Sequence, residues 1–444
     1  MVNAVARDFN SLVDYIARFN ETDFIAFDHT RITVNLNGLS DPAMVASAKK
    51  ALASWERATG LDFVLSNSAN ADMIINDNDS SGAYAGPEWD GDGVISQSHV
   101  NVPTNWMDGF PVAERWGYGS YGLQTFIHEI GHALGLNHGG PYDGSGTYDD
   151  DAIYWTDTYQ YSIMSYFTQS DNPFNGATDL YPMSPMIADI QAIRLLYGNL
   201  AVATGNTLYG KGETVLSGIS DLSRFADAAF TIKDTGGVDT FDFSNAAARS
   251  VIDLRPGYFS DINGNVGNVA IAVGTVIEKA FGGRFNDTLI GNNAANTLGG
   301  NAGVDRISGG NGADRMVGGA GADFLTGGAG ADDLYGGDGA DRFIFKTVSE
   351  SRSTASQRDT IFDFSGSSGD RIDLSGIDAR ASATGNQAFT FIGGSAFTGA
   401  QGQLRVFKQN GDTFVAGDVN GDRVADLVIH FDDNLNFSSG HFIV

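Results

Sequence analysis

Cysteine is absent from the 444 residues, which rules out disulfides and thiolate metal sites. Basic side chains are scarce: 26 Lys and Arg stand against 54 Asp and Glu, a formal charge of −28. That balance argues against nucleic acid or an anionic membrane surface as the main partner. No apolar run approaches the ~20 residues needed to span a bilayer, so membrane insertion is not expected. The N-terminal stretch MVNAVARDFNSLVDYIARFN has no cationic start followed by an apolar segment, so no cleavable signal peptide is expected and export would need another route. Glutamate is also rare, with 8 residues beside 46 Asp. Solubility alone would not favour Asp so heavily; short carboxylates in tight turns suit a hard, oxygen-seeking cation such as calcium.

Composition shifts near residue 200. Residues 1–200 read as a mixed α+β domain. An amphipathic helix is expected over residues 3–18. A second has Asp41 as N-cap, Pro42 in its first turn and Gly60 as its stop. Tyr121–Leu134 and Ser184–Gly198 read as further helices, with Ser184 as the cap of the last. Strands are expected at Leu61–Ser66 and Met73–Asn76, followed by a Gly/Asp/Pro-rich stretch to Pro111.

Residues 201–444 follow another rule. From Gly282 the chain divides into nines: GGRFNDTLI, GNNAANTLG, GNAGVDRIS, GGNGADRMV, GGAGADFLT, GGAGADDLY, GGDGADRFI. The sixth position is Asp287, Asn296, Asp305, Asp314, Asp323, Asp332 and Asp341; the eighth is always large and apolar. Such repeats, over about 282–345, predict a parallel β-roll with the apolar residue inward and the Asp facing calcium held between turns. A flexible glycine-rich linker would not hold an apolar residue in register through seven units. Alternating apolar runs after Phe345 predict a β-sandwich closing the roll.

The stretch TFIHEIGHALGLNHGG carries three histidines in eleven residues. His128 and His132, four apart, share one face of a helix. Glu129 lies between them, within reach of a metal-bound water, and Gly135 lets the chain turn back so that His138 can supply a third nitrogen. Three imidazoles and an open position make a catalytic zinc site rather than a closed structural one. The extended motif HExxHxxGxxH belongs to the metzincins. In SIMSY (162–166), Met164 is similar to their Met-turn methionine, and Tyr166 to the tyrosine that reaches the metal in astacins and serralysins.

Zinc motif, Met-turn tyrosine and repeats together resemble the serralysin family of secreted bacterial metalloproteases. The segments DLYPMSPMIADIQAIRLLYG and GNVAIAVGTVIEKAFGG extend the likeness over nearly the whole chain. The resemblance implies one zinc held by His128, His132 and His138, with Glu129 as general base and Tyr166 as a switchable fifth ligand. It implies several calcium ions. A first site would use Ala203, Gly205 and Thr207 with Asp234, Gly236 and Asp239. In the roll, Asn301, Gly303 and Asp305 would share an ion with Gly318, Ala320 and Asp323. Gly310, Gly312 and Asp314 would share one with Gly327, Ala329 and Asp332. Gly319, Gly321 and Asp323 would face Gly336, Asp338 and Asp341.

Several residues depart from the family pattern. Phe285 interrupts the first repeat, and the second lacks both its Gly and its Asp. Gly139 stands where serralysins usually carry proline, which predicts a looser loop. The N-terminal region reads as shorter than in typical members, and His441 replaces an expected Asp near the C-terminus. The implied protein is an extracellular, monomeric endopeptidase acting on proteins and peptides. Its partners would be a type I secretion machinery, reading a signal near 390–444, and a proteinaceous inhibitor. Its substrate would add to an edge strand within Val94–Val102, unless that strand is an ordinary packed edge. A lipase would need a Gly-x-Ser-x-Gly elbow, which the chain lacks. DVNGDRVAD (418–426) lacks the spacing and terminal Glu of an EF-hand and reads as a surface turn.

Overall fold

The computed structural model describes residues 2–20, 22–142, 145–213, 219–380 and 382–444; nothing is stated for the side chains of residues 2–8 and 113. The chain forms two compact units. One comprises 1–237, 256–261 and 265–275; the other comprises 238–255, 262–264 and 276–444. No helix among the described residues is long and apolar enough to cross a membrane.

The first unit begins with helix α1 (Val2–Ile16) and strand β1 (Arg31–Gly38), then α2 (Pro42–Thr59). Asp41 caps α2 by accepting from Ala43 N, and Gly60 ends it in the left-handed region at φ 83. Strands β2 (Asp62–Leu65), β3 (Met73–Asn76), β4 (Tyr84–Trp89) and β5 (Ile95–Asn101) complete a sheet of order β2-β1-β3-β5-β4. All its pairings are parallel except that of β4, which runs antiparallel along the edge. Helix α3 (Tyr121–Ala133) is capped by the Ser120 hydroxyl, which accepts from Leu123 N. The buried Trp55 indole of α2 donates to the Ile127 carbonyl (2.9 Å) and so ties the two helices together. A short helix α4 (Tyr148–Asp151) precedes α5 (Ile187–Tyr197).

The sequence placed the cap of α5 at Ser184. The structure starts the helix at Ile187, because Asp189 reaches back to accept from Met186 N (2.7 Å). Ser184 instead accepts from Thr231 N and donates to the Pro185 carbonyl.

The second unit is built on pairing between each repeat and the next but one. Leu298, Met316 and Leu334 stack in one sheet, and Leu289, Ile307, Leu325 and Phe343 in the other. All are at most 2% exposed. Each 18-residue step returns the chain to the same sheet one strand further on, so alternate repeats serve alternate sheets. Backbone hydrogen bonds satisfy the parallel ladders, and glycines with φ between 94 and 151 (Gly310, Gly319, Gly321, Gly337) make the turns. An antiparallel meander of Gln403–Gln409, Asp412–Asp418 and Leu427–Phe431 continues one sheet through Thr360–Ile361. Phe442–Ile443 adds to Arg371–Asp373 in the other.

Candidate metal centre and active site

The helical period places His128 and His132 on the buried face of α3, one turn apart. Gly135 then reverses the chain at φ 98; a Cβ there would lie 2.1 Å from the Ile25 carbonyl oxygen, so only glycine fits this turn. The reversal returns His138 to the first two imidazoles. The three Nε2 atoms lie 2.9, 3.1 and 3.3 Å from one another.

These contacts are not hydrogen bonds. His128 Nδ1 lies 2.8 Å from the Ile163 carbonyl and His132 Nδ1 lies 2.8 Å from the Leu136 carbonyl. A carbonyl only accepts, so both rings carry their proton on Nδ1 and present a bare lone pair at Nε2. A backbone hydrogen bond at Tyr142 engages His138. Burial, and then the neighbouring imidazole, push all three rings down to about 3, so they are neutral at physiological pH. Three convergent lone pairs at this separation match a tetrahedral zinc, whose nitrogen ligands at about 2.0–2.1 Å lie ~3.3 Å apart. The carbonyl partners supply the outer contacts that such ligands use.

The residues beneath the centre form a connected chain. Asp189 of α5 is fully buried and accepts from the Ser162 hydroxyl (2.6 Å) and from Ile163 N (2.8 Å). Ser162 Oγ in turn accepts from Met164 N (2.9 Å), and the Ile163 carbonyl holds His128. Met164 is 0% exposed. A Cβ on Gly131 would come within 2.5 Å of its sulfur, so the methionine packs against the bare backbone of α3 between the two histidines. Burial raises the Asp189 carboxyl to about 7 against the pull of its donors. Its role was not assigned from sequence; the available signal was an acid at the third helical position.

Glu129 is 6% exposed and, with Tyr166, lines two adjoining cavities of about 500 and 340 Å³. The Tyr166 ring lies 4.6 Å from that of His138 and 5.7 Å from that of His128. Ala83, Tyr84 and Ala85 line the larger cavity, while Trp106, Tyr121 and Tyr159 line the smaller. The strand expected as an edge within Val94–Val102 is internal to the sheet. β5 pairs on both sides, with β3 and β4, and the free edge beside the centre is β4.

The loop after His138 is tight, not loose. A Cβ on Gly139 would fall 2.1 Å from Asp157 Oδ1, because that buried carboxylate occupies the space and accepts from the Tyr142 hydroxyl (2.9 and 3.0 Å). Nothing in the local sequence pairs Gly139 with a residue eighteen positions on.

In the second unit the repeated aspartates form a ladder. Oδ1 of Asp305, Asp314, Asp323, Asp332 and Asp341 accepts from the backbone N–H of the sixth-position residue one strand back, at 2.7–2.9 Å. Oδ2 of each is buried without a partner. The grouped repeat residues meet across the turns: Gly303 N donates to Ala320 O, Gly312 N to Ala329 O and Gly321 N to Asp338 O. Asn301 stands opposite Gly319 and Gly310 opposite Gly328. A Cβ on Gly318, Gly327 or Gly336 would lie 2.3–2.5 Å from an Oδ2. Buried, unshared carboxylate oxygens facing bare backbone fit a calcium cradle. Burial raises Asp305 and Asp314 to about 7, and Asp332 and Asp341 to about 6.

Asp287 differs, since its two oxygens accept from Ser250 N and Gly283 N. Asn296 places its amide on Ile277 and Glu278 carbonyls. Asp359, not singled out from sequence, extends the ladder: it accepts from Asp332 N, and its other oxygen is buried and unpartnered. It lies beyond the seven repeats and 27 residues after its donor, where the others lie 18 on, so the repeats gave no signal for it. Near the first expected calcium site, Thr207 Oγ1 donates to the Gly205 carbonyl (2.9 Å) and Gly236 N to Asp234 (3.0 Å). Ala203 sits in the left-handed region at φ 46, and Asp239 is fully buried.

With this geometry established, comparison with known proteins locates the chain. Residues 198–444 match the family described as Peptidase M10 serralysin C terminal, and residues 26–171 match Matrixin. The chain belongs to the serralysin family. Metallopeptidase AprA of Pseudomonas marginalis is 39% identical over 425 residues, covering 89% of this chain and 80% of that protein. Metalloprotease AprA of Pseudomonas entomophila (strain L48) is 42% identical over 323 residues, covering 70% of this chain and 61% of its own length. Serralysin C of Dickeya chrysanthemi is 45% identical over 181 residues, covering 39% and 37%. As a member of the serralysin family the chain is a metalloendopeptidase with a matrixin domain and a serralysin C-terminal domain, and the family implies zinc.

The Asp189 chain makes a testable demand. Asp189→Asn should destabilise the first unit by about 1–3 kcal/mol, because one buried donor loses its acceptor. It should also weaken zinc retention about tenfold or more, through His128. Chelator competition and thermal unfolding measure the two effects; a variant that loses stability but holds zinc as wild type would separate Asp189 from the centre.

Proposed function

We propose that the chain is a secreted zinc endopeptidase whose metal is held by His128, His132 and His138, and the observation that carries this reading is the convergence of three deprotonated Nε2 atoms beside Glu129. Zinc in such a site supplies Lewis acidity towards water and towards a scissile carbonyl. Residues 1–200 are read as the catalytic domain and 201–444 as the β-roll and sandwich domain.

The peptide lies extended along β4 and continues the sheet at its edge. Glu129 takes a proton from the attacking water as the water oxygen bonds to the carbonyl carbon. It passes that proton to the amine nitrogen as the C–N bond breaks. The Tyr166 phenol donates to the carbonyl oxygen as negative charge develops there. Met164 gives the histidines a dry, close-packed floor and binds nothing.

Calcium completes the second domain. The orphaned Oδ2 atoms of the aspartate ladder supply oxygen ligands, and family membership supports export through the C-terminus. Low cytosolic calcium would leave the repeats unfolded until release, when binding stabilises the folded state.

Glu129→Gln tests the chemistry. Peptide hydrolysis should fall about 10²–10⁴-fold while one zinc per chain remains bound; near wild-type turnover would remove Glu129 from its role.

The ladder predicts an inversion with pH. Without calcium, the raised carboxyls bind protons in the folded chain that they release in the unfolded one. Stability therefore falls as pH rises from about 4, the unfolded value, to about 7, the folded value for Asp305 and Asp314. Saturating calcium requires the ionised form, so its added stabilisation grows across the same window. Denaturant unfolding at pH 5 and 7.5, with chelator and with calcium, measures this; equal pH dependence in both would contradict the calcium assignment.

A further inference from the structure

A further cavity in the first unit, of about 350 Å³, is lined by Arg57, Leu61, Val202, Tyr209 and Lys233, with Glu56 and Asp62 also on its wall. Lys233 follows strand Phe230–Ile232 and is only 9% exposed. Among the described residues, no carboxylate lies within ion-pair distance of its ammonium and no hydrogen bond engages its side chain. The charged neighbour acting on it is Arg194, another cation.

The nearby acids are turned to other partners. Asp62 pairs with Arg31 (3.4 Å), and Arg57 is faced by Tyr118, by Glu213 and, more weakly, by Glu56. Asp234, next along the chain, accepts from the Tyr209 hydroxyl (2.8 Å) and Gly236 N (3.0 Å). An ammonium on a largely buried side chain, with no counter-charge within reach, favours an anion that enters the cavity beside it. The chain's charge of −28 offers no general attraction for anions, so binding here would reflect this cavity alone.

We propose that the cavity binds a small oxyanion, with the Lys233 ammonium as its counter-charge and the Arg57 guanidinium on the same wall. The site is separate from the histidine centre, and none of its lining side chains serves hydrolysis.

Thermal unfolding of the calcium-loaded full chain, at fixed ionic strength balanced with chloride, tests this with sulfate and with acetate as probes. At least one ion should raise Tm saturably by about 3 °C or more. Sulfate alone would indicate a tetrahedral ligand and acetate alone a carboxylate. Sulfate also stabilises proteins by exclusion from their surfaces, so only the portion lost in Lys233→Met counts. That variant removes an unpaired buried charge and should fold at least as well as wild type, with unchanged peptide hydrolysis. Lys233→Arg should restore the response. Failure of both ions to shift wild type, or an equal shift in Lys233→Met, would overturn the proposal.

Discussion

Three imidazole nitrogens face one another at 2.9–3.3 Å with no proton between them. Their protons are committed elsewhere, two of them to the carbonyls of Ile163 and Leu136. Such an arrangement is repulsive unless a cation occupies the point where the lone pairs meet. Much of the first unit serves to hold it. α3 sets the spacing of His128 and His132, Gly135 returns His138, and Met164 fills the floor. Asp189 secures the turn that orients His128.

The second unit applies the same principle with oxygen. One carboxylate oxygen of each ladder aspartate ties adjacent strands together, and the other is buried without a donor. A parallel stack with narrow apolar layers and a line of desolvated carboxylates is poorly self-sufficient. In the proposed reading, calcium that relieved the repulsion would be tied to folding, as zinc would be tied to chemistry in the first unit. Both units present negative or lone-pair density that the polypeptide does not neutralise.

Much of this was legible along the chain, for identifiable reasons. A spacing of four places two histidines on one helical face, and a nine-residue period places Leu, Ile, Met or Phe in a common interior; both are local geometric consequences. Asp41, Pro42 and Gly60 likewise bounded α2. What failed to show depended on partners distant in sequence. β4 contains Gly86 and Pro87 and lies in a glycine-rich stretch, so its sequence does not mark it as the edge strand. The start of α5 was displaced from Ser184 because the Asp189 carboxylate, not a hydroxyl, satisfies Met186 N. Gly139 suggested slack, yet Asp157 fills the space a side chain would need. Asp359 extends the ladder from outside the repeat. Lys233 carries no motif at all, and its isolation exists only once α2 and the 201–203 segment enclose it.

The central claim is that three imidazoles hold one zinc, and X-ray absorption at the zinc edge of the calcium-loaded protein tests it most directly. The account predicts one zinc per chain with three imidazole nitrogens at about 2.0–2.1 Å and any remaining ligands oxygen. Two or fewer imidazoles, or four in a closed shell, would contradict it.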